Sequence, residues 1–259
     1  MDKERDEKVN KKNEVTLLRN HRYHKNANAV FRMAQEDFES LEFDSETWIT
    51  QLKRFVNRHL AEQVPRLKEL KRYYLADNNI KYRPPKTDEY AADNRIASDF
   101  ARYITIFEQG YMLGQPVQYK NENDELQEKI DDFNKQNNEA YHNVLIKTDL
   151  SIYGRAYELE TIALQDEQAF VKLVKLNPEQ TFIVYDDTTD SNSLFGVYYY
   201  SIDYGDGVRK DFINVYTSDM LYIYVNDNQN KKGLTLLDFE DYAFNGVPIN
   251  EFANNEDRT

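Results

Sequence analysis

At Gly154 the grammar of the chain changes, and no other feature limits its fold as much. Before this residue, apolar positions recur at intervals of three, four and seven, which is one helix face; after it they alternate in twos, as in strands. Gly154 is therefore expected to be a helix-to-strand joint. On the helical side, Ser45 is a fitting N-cap for a helix carrying Trp48, Ile49, Leu52, Phe55, Val56 and Leu60 on one side. Pro65 should kink or restart it, and Leu67, Leu70, Tyr73 and Tyr74 continue the pattern. A central helix is expected within Ala91 to Tyr119, started by Asp93 or Asn94 and stopped by Gly114 and Pro116. It should be buried along Ile96, Phe100, Tyr103, Ile104, Phe107, Tyr111 and Met112. Pro116 to Tyr119 alternates like a short strand.

Two more helices follow, Asn123 to Asn137 with Leu126, Ile130 and Phe133 inward, and Glu139 to Ser151 with Tyr141, Val144, Leu145 and Thr148 inward. A short amphipathic helix is also expected between Ala29 and Leu41, on Val30, Phe31, Ala34 and Phe38. Beyond Gly154, seven runs rich in Val, Ile, Tyr and Phe are expected as strands. They are 157–163, 169–176, 181–185, 194–203, 208–217, 220–226 and 236–244, mostly separated by polar turns. Such short spacing favours antiparallel meanders. The fold class is thus α+β, helices first and a mostly antiparallel β part second, with no βαβ alternation. The division expected is a flexible charged arm at 1–28, a helical part at 29–153 and a β-rich part at 154–259.

Composition excludes several kinds of chemistry. With no cysteine among 259 residues there is no disulfide, thiol nucleophile or thiolate metal site, which suits a reducing cytoplasm. The chain is expected to be soluble: no apolar run approaches the ~20 residues of a membrane helix, and MDKERDEKVNKKNEV lacks a signal-peptide core. Only 8 glycines are present, and no phosphate-binding loop or GxSxG elbow. His21 and His24 lie three apart without a third ligand at a useful spacing; His59 and His142 have no recognisable nucleophile to serve. Asp186, Asp187 and Asp190 are the densest acidic set near a strand end, but Tyr-Asp-Asp-Thr-Thr-Asp also reads as a hairpin turn. The acidic run from Glu36 to Glu46 reads as solvated carboxylates. No catalytic residue, metal site or cofactor is assigned, and the chain is not expected to be an enzyme.

Charge points the same way. Acidic residues outnumber basic ones 46 to 33, for a net charge of −13, which argues against a protein that grips nucleic acid through phosphates. The lone basic cluster, Arg66, Lys68, Lys71 and Arg72 joined by Lys81, Arg83 and Lys86, reads as a solvated face paired with nearby acids. Aromatic residues are plentiful, 20 Tyr and 14 Phe, suiting both half-buried strands and subunit contacts.

Several runs in fixed order carry a family likeness. They are Asn94-Arg95-Ile96, Gly110-Tyr111-Met112-Leu113-Gly114-Gln115-Pro116-Val117, Ser151-Ile152-Tyr153-Gly154-Arg155-Ala156-Tyr157-Glu158 and Tyr185-Asp186-Asp187. With Arg66 to Tyr74 before them and Val247-Pro248-Ile249 to Asn254-Asn255-Glu256 after, the series resembles the portal proteins of long-tailed bacteriophages of Gram-positive hosts. The likeness covers roughly Ser45 to Thr259. It implies a structural subunit of a ring, usually of twelve copies, through which double-stranded DNA enters and leaves the capsid without sequence-specific binding. The implied partners are other copies of itself, terminase, scaffold, the major capsid protein and head-tail connectors, in the virion after assembly in the host cytoplasm, with no membrane.

By the same likeness these residues correspond to the portal wing alone: the stem, clip, tunnel loop and crown are not in the sequence. Either the chain is truncated, which is the expectation, or the likeness covers a shared module. Without a stem, a monomer or weak oligomer is expected in dilute solution. Residues marked by the motifs as subunit-interface or structural positions are Asn94, Arg95, Tyr111, Gly114, Pro116, Tyr153, Gly154 and Arg155. Rival readings are a metal-dependent DNA-processing enzyme of phage origin, built on Asp186, and a module that binds scaffold or a host protein.

Overall fold

A computed structural model describes residues 26–83, 90, 92, 94–165, 168–227, 233–242, 244 and 246–254. Most of the arm expected at 1–28, and Asp93, Pro84, Pro85, Lys86, Asn255 and Glu256, lie outside the described residues. Helices come first: α1 (Gln35–Glu39), α2 (Glu46–Arg58), a π turn (His59–Gln63), α3 (Val64–Tyr74), a 3₁₀ turn (Asn79–Tyr82), α4 (Phe100–Leu113), α5 (Asp124–Asn137) and α6 (Glu139–Tyr153). Strands follow: β2 (Arg155–Gln165), β3 (Gln168–Leu176), β4 (Thr181–Tyr185), β5 (Ser193–Asp203), β6 (Arg209–Tyr216), β7 (Met220–Asp227), β8 (Leu234–Asp241) and β9 (Ile249–Ala253). One short strand, β1 (Phe31–Arg32), precedes all the helices. The α+β class read from the sequence is the class observed.

Helix α2 forms where the sequence places it. The Ser45 hydroxyl accepts from the Trp48 amide at 3.2 Å, and Trp48, Leu52, Phe55 and Val56 fall on one buried face. That face covers a six-stranded sheet of order β1-β4-β5-β6-β7-β8, antiparallel except for the β1–β4 pair. Trp48 is fully buried, and its ring N–H donates to the Tyr224 hydroxyl at 2.7 Å, which donates in turn to the Phe43 carbonyl at 2.7 Å. A large aromatic thus enters the core with its one donor satisfied.

Strand β4 explains the layering. Its alternate residues Phe182 and Val184 face α2 within one apolar cluster, while Ile183 and Tyr185 belong to a second cluster with Tyr157, Leu159, Leu176 and Ile249. That second cluster joins the large sheet to a three-stranded one of order β3-β2-β9, antiparallel throughout. Both faces of β4 are covered, so all five of its residues are buried. On the outer face of the small sheet lies α6, where Glu158 of β2 meets His142 at 2.5 Å and Lys175 of β3 meets Asp149 at 2.6 Å. The order through the molecule is α2, large sheet, small sheet, α6.

The two sheets come close together at Gly196 of β5. A Cβ there would lie 2.9 Å from Cδ1 and 3.1 Å from Cβ of Ile249. Gly196→Val is therefore expected to cost about 1–3 kcal/mol by overpacking, read as a shift in the urea midpoint. Adding Ile249→Ala should recover part of that loss, because the two changes share one space.

Several local expectations are corrected. The helix expected over 29–41 shrinks to α1, because Phe31 and Arg32 instead pair in parallel with Val184 and Tyr185. Phe31 is wedged edge-on between Phe55 and Phe182, so tertiary packing overrides a weak local period. Pro116–Tyr119 forms no strand. Its backbone is met by side chains instead: Gln127 of α5 donates to the Tyr119 carbonyl at 3.1 Å. Pro65 does restart the helix as expected: α3 opens at Val64, directly after the π turn, with Pro65 in its first turn. Gly114 ends α4 with right-handed torsions (φ −63°, ψ −21°), and the N-cap is Asp99, not Asn94.

Inward faces also shift. On α6 the buried positions are Glu139, His142, Ile146, Asp149 and Tyr153, while Tyr141 is exposed and Val144, Leu145 and Thr148 are half-buried. On α5, Leu126 is exposed and Ile130 and Phe133 are half-buried. Leu60, expected in line with Leu52 and Val56, is turned outward by the π turn, which buries His59 and Gln63 instead. Strands β1 and β9 were not expected.

Candidate subunit interface and interlayer joint

The joint at Gly154 is built from the end of α6. Gly154 takes a left-handed conformation (φ +74°) that a side chain would strain, and there the chain turns from helix into β2. Immediately before it, Tyr153 is buried and its hydroxyl donates to Glu179 at 2.9 Å. Glu179 also receives Lys71 of α3 at 3.0 Å, and its backbone carbonyl accepts from Tyr199 at 3.0 Å. Burial, with the Glu179 carboxylate beside it, pushes the Tyr153 hydroxyl's pKa well above its ordinary value, so it stays a donor.

On the other side of Gly154, Arg155 points into a cavity of about 220 Å³ between α3, the two sheets and β1. Its guanidinium donates to Gln63 Oε1 at 3.3 Å. Glu251 of β9 accepts there from Tyr157 at 3.2 Å and from Tyr185 at 2.8 Å. Burial works against the charge on Arg155, but Tyr157 and Glu251 more than offset it and its pKa is raised. One cation and one anion, tied by two tyrosines, thus pin the π turn, β2, β4 and β9 together. Close by, His59 Nδ1 lies 2.8 Å from the Tyr199 hydroxyl, while Nε2 is buried with no partner.

The motif residues separate into two groups. Tyr153, Gly154 and Arg155 serve the interior joint. Asn94, Arg95, Tyr111, Gly114 and Pro116 are exposed on or beside α4, with Arg95 Nη1 donating to the Arg83 carbonyl at 2.9 Å. Tyr111 is 86% exposed. Sequence reasoning missed His59, Gln63, Glu179 and Glu251, since a lone polar residue in an apolar or strand pattern gives no sign of its partner.

Helix α4 reverses the expectation made for it. The apolar stripe exists in the expected register, yet Phe100, Tyr103, Ile104, Phe107, Tyr111 and Met112, and Ile96 ahead of the helix, are all exposed. Its polar residues face inward: Gln109 donates to Thr148 Oγ1, and Glu108 accepts from Lys147 at 2.9 Å and Ser151 at 3.0 Å. Those two donors hold the Glu108 carboxyl below its ordinary pKa. The lone buried side chain of the helix is Thr105, which donates to the Ala101 carbonyl at 3.0 Å.

Asp186 and part of the basic cluster, both considered for other chemistry, have structural partners. Asp186 accepts from the amides of Thr188 at 3.2 Å and Asn192 at 3.1 Å, and from their side chains at 2.8 and 3.0 Å. Burial opposes its charge, but these donors prevail and lower its pKa. Arg32 closes the same turn through the Asp186 carbonyl at 2.7 Å and Ser191 at 2.9 Å. Among the described residues no group of three or more His, Asp or Glu is placed to hold a metal ion. In the basic cluster, Lys71 is paired with Glu179, and Arg72 with Glu69 at 2.6 Å. No helix among the described residues is long and apolar enough to cross a membrane.

Comparison with known proteins decides the family. The family described as phage portal protein, SPP1 Gp6-like, matches residues 53–259. The chain belongs to this portal protein family. A curated relative, the portal protein of Bacillus phage SPP1, is 24% identical over 233 residues; the alignment takes in 80% of this chain and 44% of the relative. This portal chain thus spans less than half the length of the relative it matches. The match begins inside α2, so the interior joint, the outward face of α4 and both sheets, apart from β1, fall within the portal-like part. The family it belongs to is one of phage portal proteins, a structural family and not an enzyme family.

Proposed function

We propose that the chain is a subunit of the portal ring through which double-stranded DNA is packaged into the capsid and later ejected. The observation that carries this reading is the family match over 53–259. In this reading the protein acts by shape: its layered body is one wedge of a conduit, and the wedge transforms no substrate. Residues 29–153 and 154–259 form the helical and β-rich parts of the portal wing. A net charge of −13 per copy gives a ring that repels phosphates, so DNA can pass without sticking. The partners are further copies of the chain, terminase, scaffold, the major capsid protein and head-tail connectors. Its place is the capsid vertex, reached from the host cytoplasm.

Electron microscopy of complete particles and of the purified protein tests this. Expected is a ring with an axial channel at a single capsid vertex, labelled by antibodies against this chain. Label spread over the whole shell, or none on the particle, would overturn the reading.

A further inference from the structure

Helix α4 is amphipathic with its faces reversed. Phe100, Tyr103, Ile104, Phe107 and Tyr111 recur at three, four, seven and eleven residues from Phe100 and form one uncharged stripe, 69%, 64%, 54%, 66% and 86% exposed. The opposite side spends its polar groups on α6 through Glu108 and Gln109. An apolar face held outward in this way is held by design of the inner contacts: turning the helix inward would leave Lys147, Ser151 and Thr148 without these partners.

The area is that of an interface. At about 150–250 Å² for each aromatic side chain, the stripe exposes on the order of 600 Å². That reaches the upper end of the patches monomers carry, about 300–600 Å², and approaches the ~800 Å² that each partner contributes to a stable complex. Residues 1–25 are an unsuitable cover, since MDKERDEKVNKKNEVTLLRNHRYHK is dominated by charge and offers only four branched aliphatic residues.

We infer that the outward face of α4 packs against a second copy of this chain. Two copies, each carrying −13, can meet there because no charged side chain lies in the stripe, so like charges are kept apart where the bodies touch. The chain also exposes another apolar pair on a different element, Leu237 and Phe239 of β8, 59% and 60% exposed. A ring is built from contacts between two different surfaces of identical subunits, so the chain contains the means for such a contact without a foreign protein. This inference rests on the portal reading for its ring geometry, but the contact itself can be tested apart from it.

Because the chain has no cysteine, a single one can be placed and labelled cleanly. Phe107→Cys carrying a benzophenone label is expected to yield, on irradiation, a product of twice the chain mass. The control Lys129→Cys on α5, an exposed position in a paired Glu125–Lys129 turn, should not. In sedimentation, Phe107→Glu with Tyr111→Glu should weaken self-association by about tenfold or more, with the thermal midpoint unchanged because both side chains are exposed. Absence of a two-chain product from position 107, or a double variant that associates like the parent, overturns the inference. If the double variant does not fold, the cross-link decides alone. A cross-link at 107 without rings in the microscope would sink the portal reading and keep this contact; rings with no cross-link would do the reverse.

Discussion

Acidifying the protein from pH 6.5 to 4.5 is expected to remove roughly 2–3 kcal/mol of folding stability through one side chain, His59. Burial, with the charge of Arg155 adding to it, pushes this imidazole down to about 3, whereas an unfolded histidine titrates near 6.5. Between those values the unfolded chain takes up a proton that the folded chain refuses. The stabilising difference is therefore complete above pH 6.5 and is lost as pH falls, at about 1.4 kcal/mol per pH unit. The surroundings give the reason: Phe31 and Phe182 pack on the ring, Tyr199 engages Nδ1, and Nε2 has no acceptor for a second proton. Among the carboxyls, Asp149 is pushed up by burial and acts in the opposite sense at the acid end. Urea unfolding across this range checks the prediction, with His59→Gln expected to flatten the curve. An unchanged slope in that variant would show that other groups set the acid sensitivity.

Arg155→Ala is expected to cost about 3–5 kcal/mol, because it leaves Glu251 as an uncompensated anion among buried tyrosines. For a chain of this size that corresponds to a fall in the thermal midpoint of about 10 °C or more. Glu251→Gln in the Arg155→Ala background should restore part of the loss, since an amide can accept from Tyr157 and Tyr185 without bringing charge. Arg155→Lys should not substitute well: an ammonium cannot serve Gln63 and Tyr157 together as a planar guanidinium does. Calorimetry of the three variants separates these outcomes. Equal midpoints for Arg155→Ala and the parent would remove Arg155 from the joint.

How far the sequence was legible depended on whether local pattern or distant packing decided each element. Strands β2 to β8 were readable because alternation and turn residues are local, and so were the Ser45 cap and the Gly154 joint. Strand β1 was not, because its two residues pair with Val184 and Tyr185, more than 150 positions away. Helix α4 is the instructive case. Its periodicity fixed the helix and its stripe correctly, but a period says that two faces differ and not which one meets the same chain. In soluble monomers the apolar face turns inward; here Glu108 and Gln109 turn inward and the aromatics do not. For the motif around Gly154, the string Tyr-Gly-Arg was visible, yet its use required Glu179 and Glu251, brought close only by the fold.

The wide turn at His59–Gln63 has a consequence for how this helical rod came to be. A π turn holds one more residue than the coil around it, so each residue beyond it is displaced by about 100° relative to an uninterrupted helix. Deleting a single residue between 59 and 63 would let the rod close smoothly and would then swing Leu67 and Glu69 out of the interior, with the Glu69–Arg72 pair, which lies wholly beyond the turn, carried round as a unit. The surplus residue is thus a phase correction, setting the facing of everything that follows against everything before.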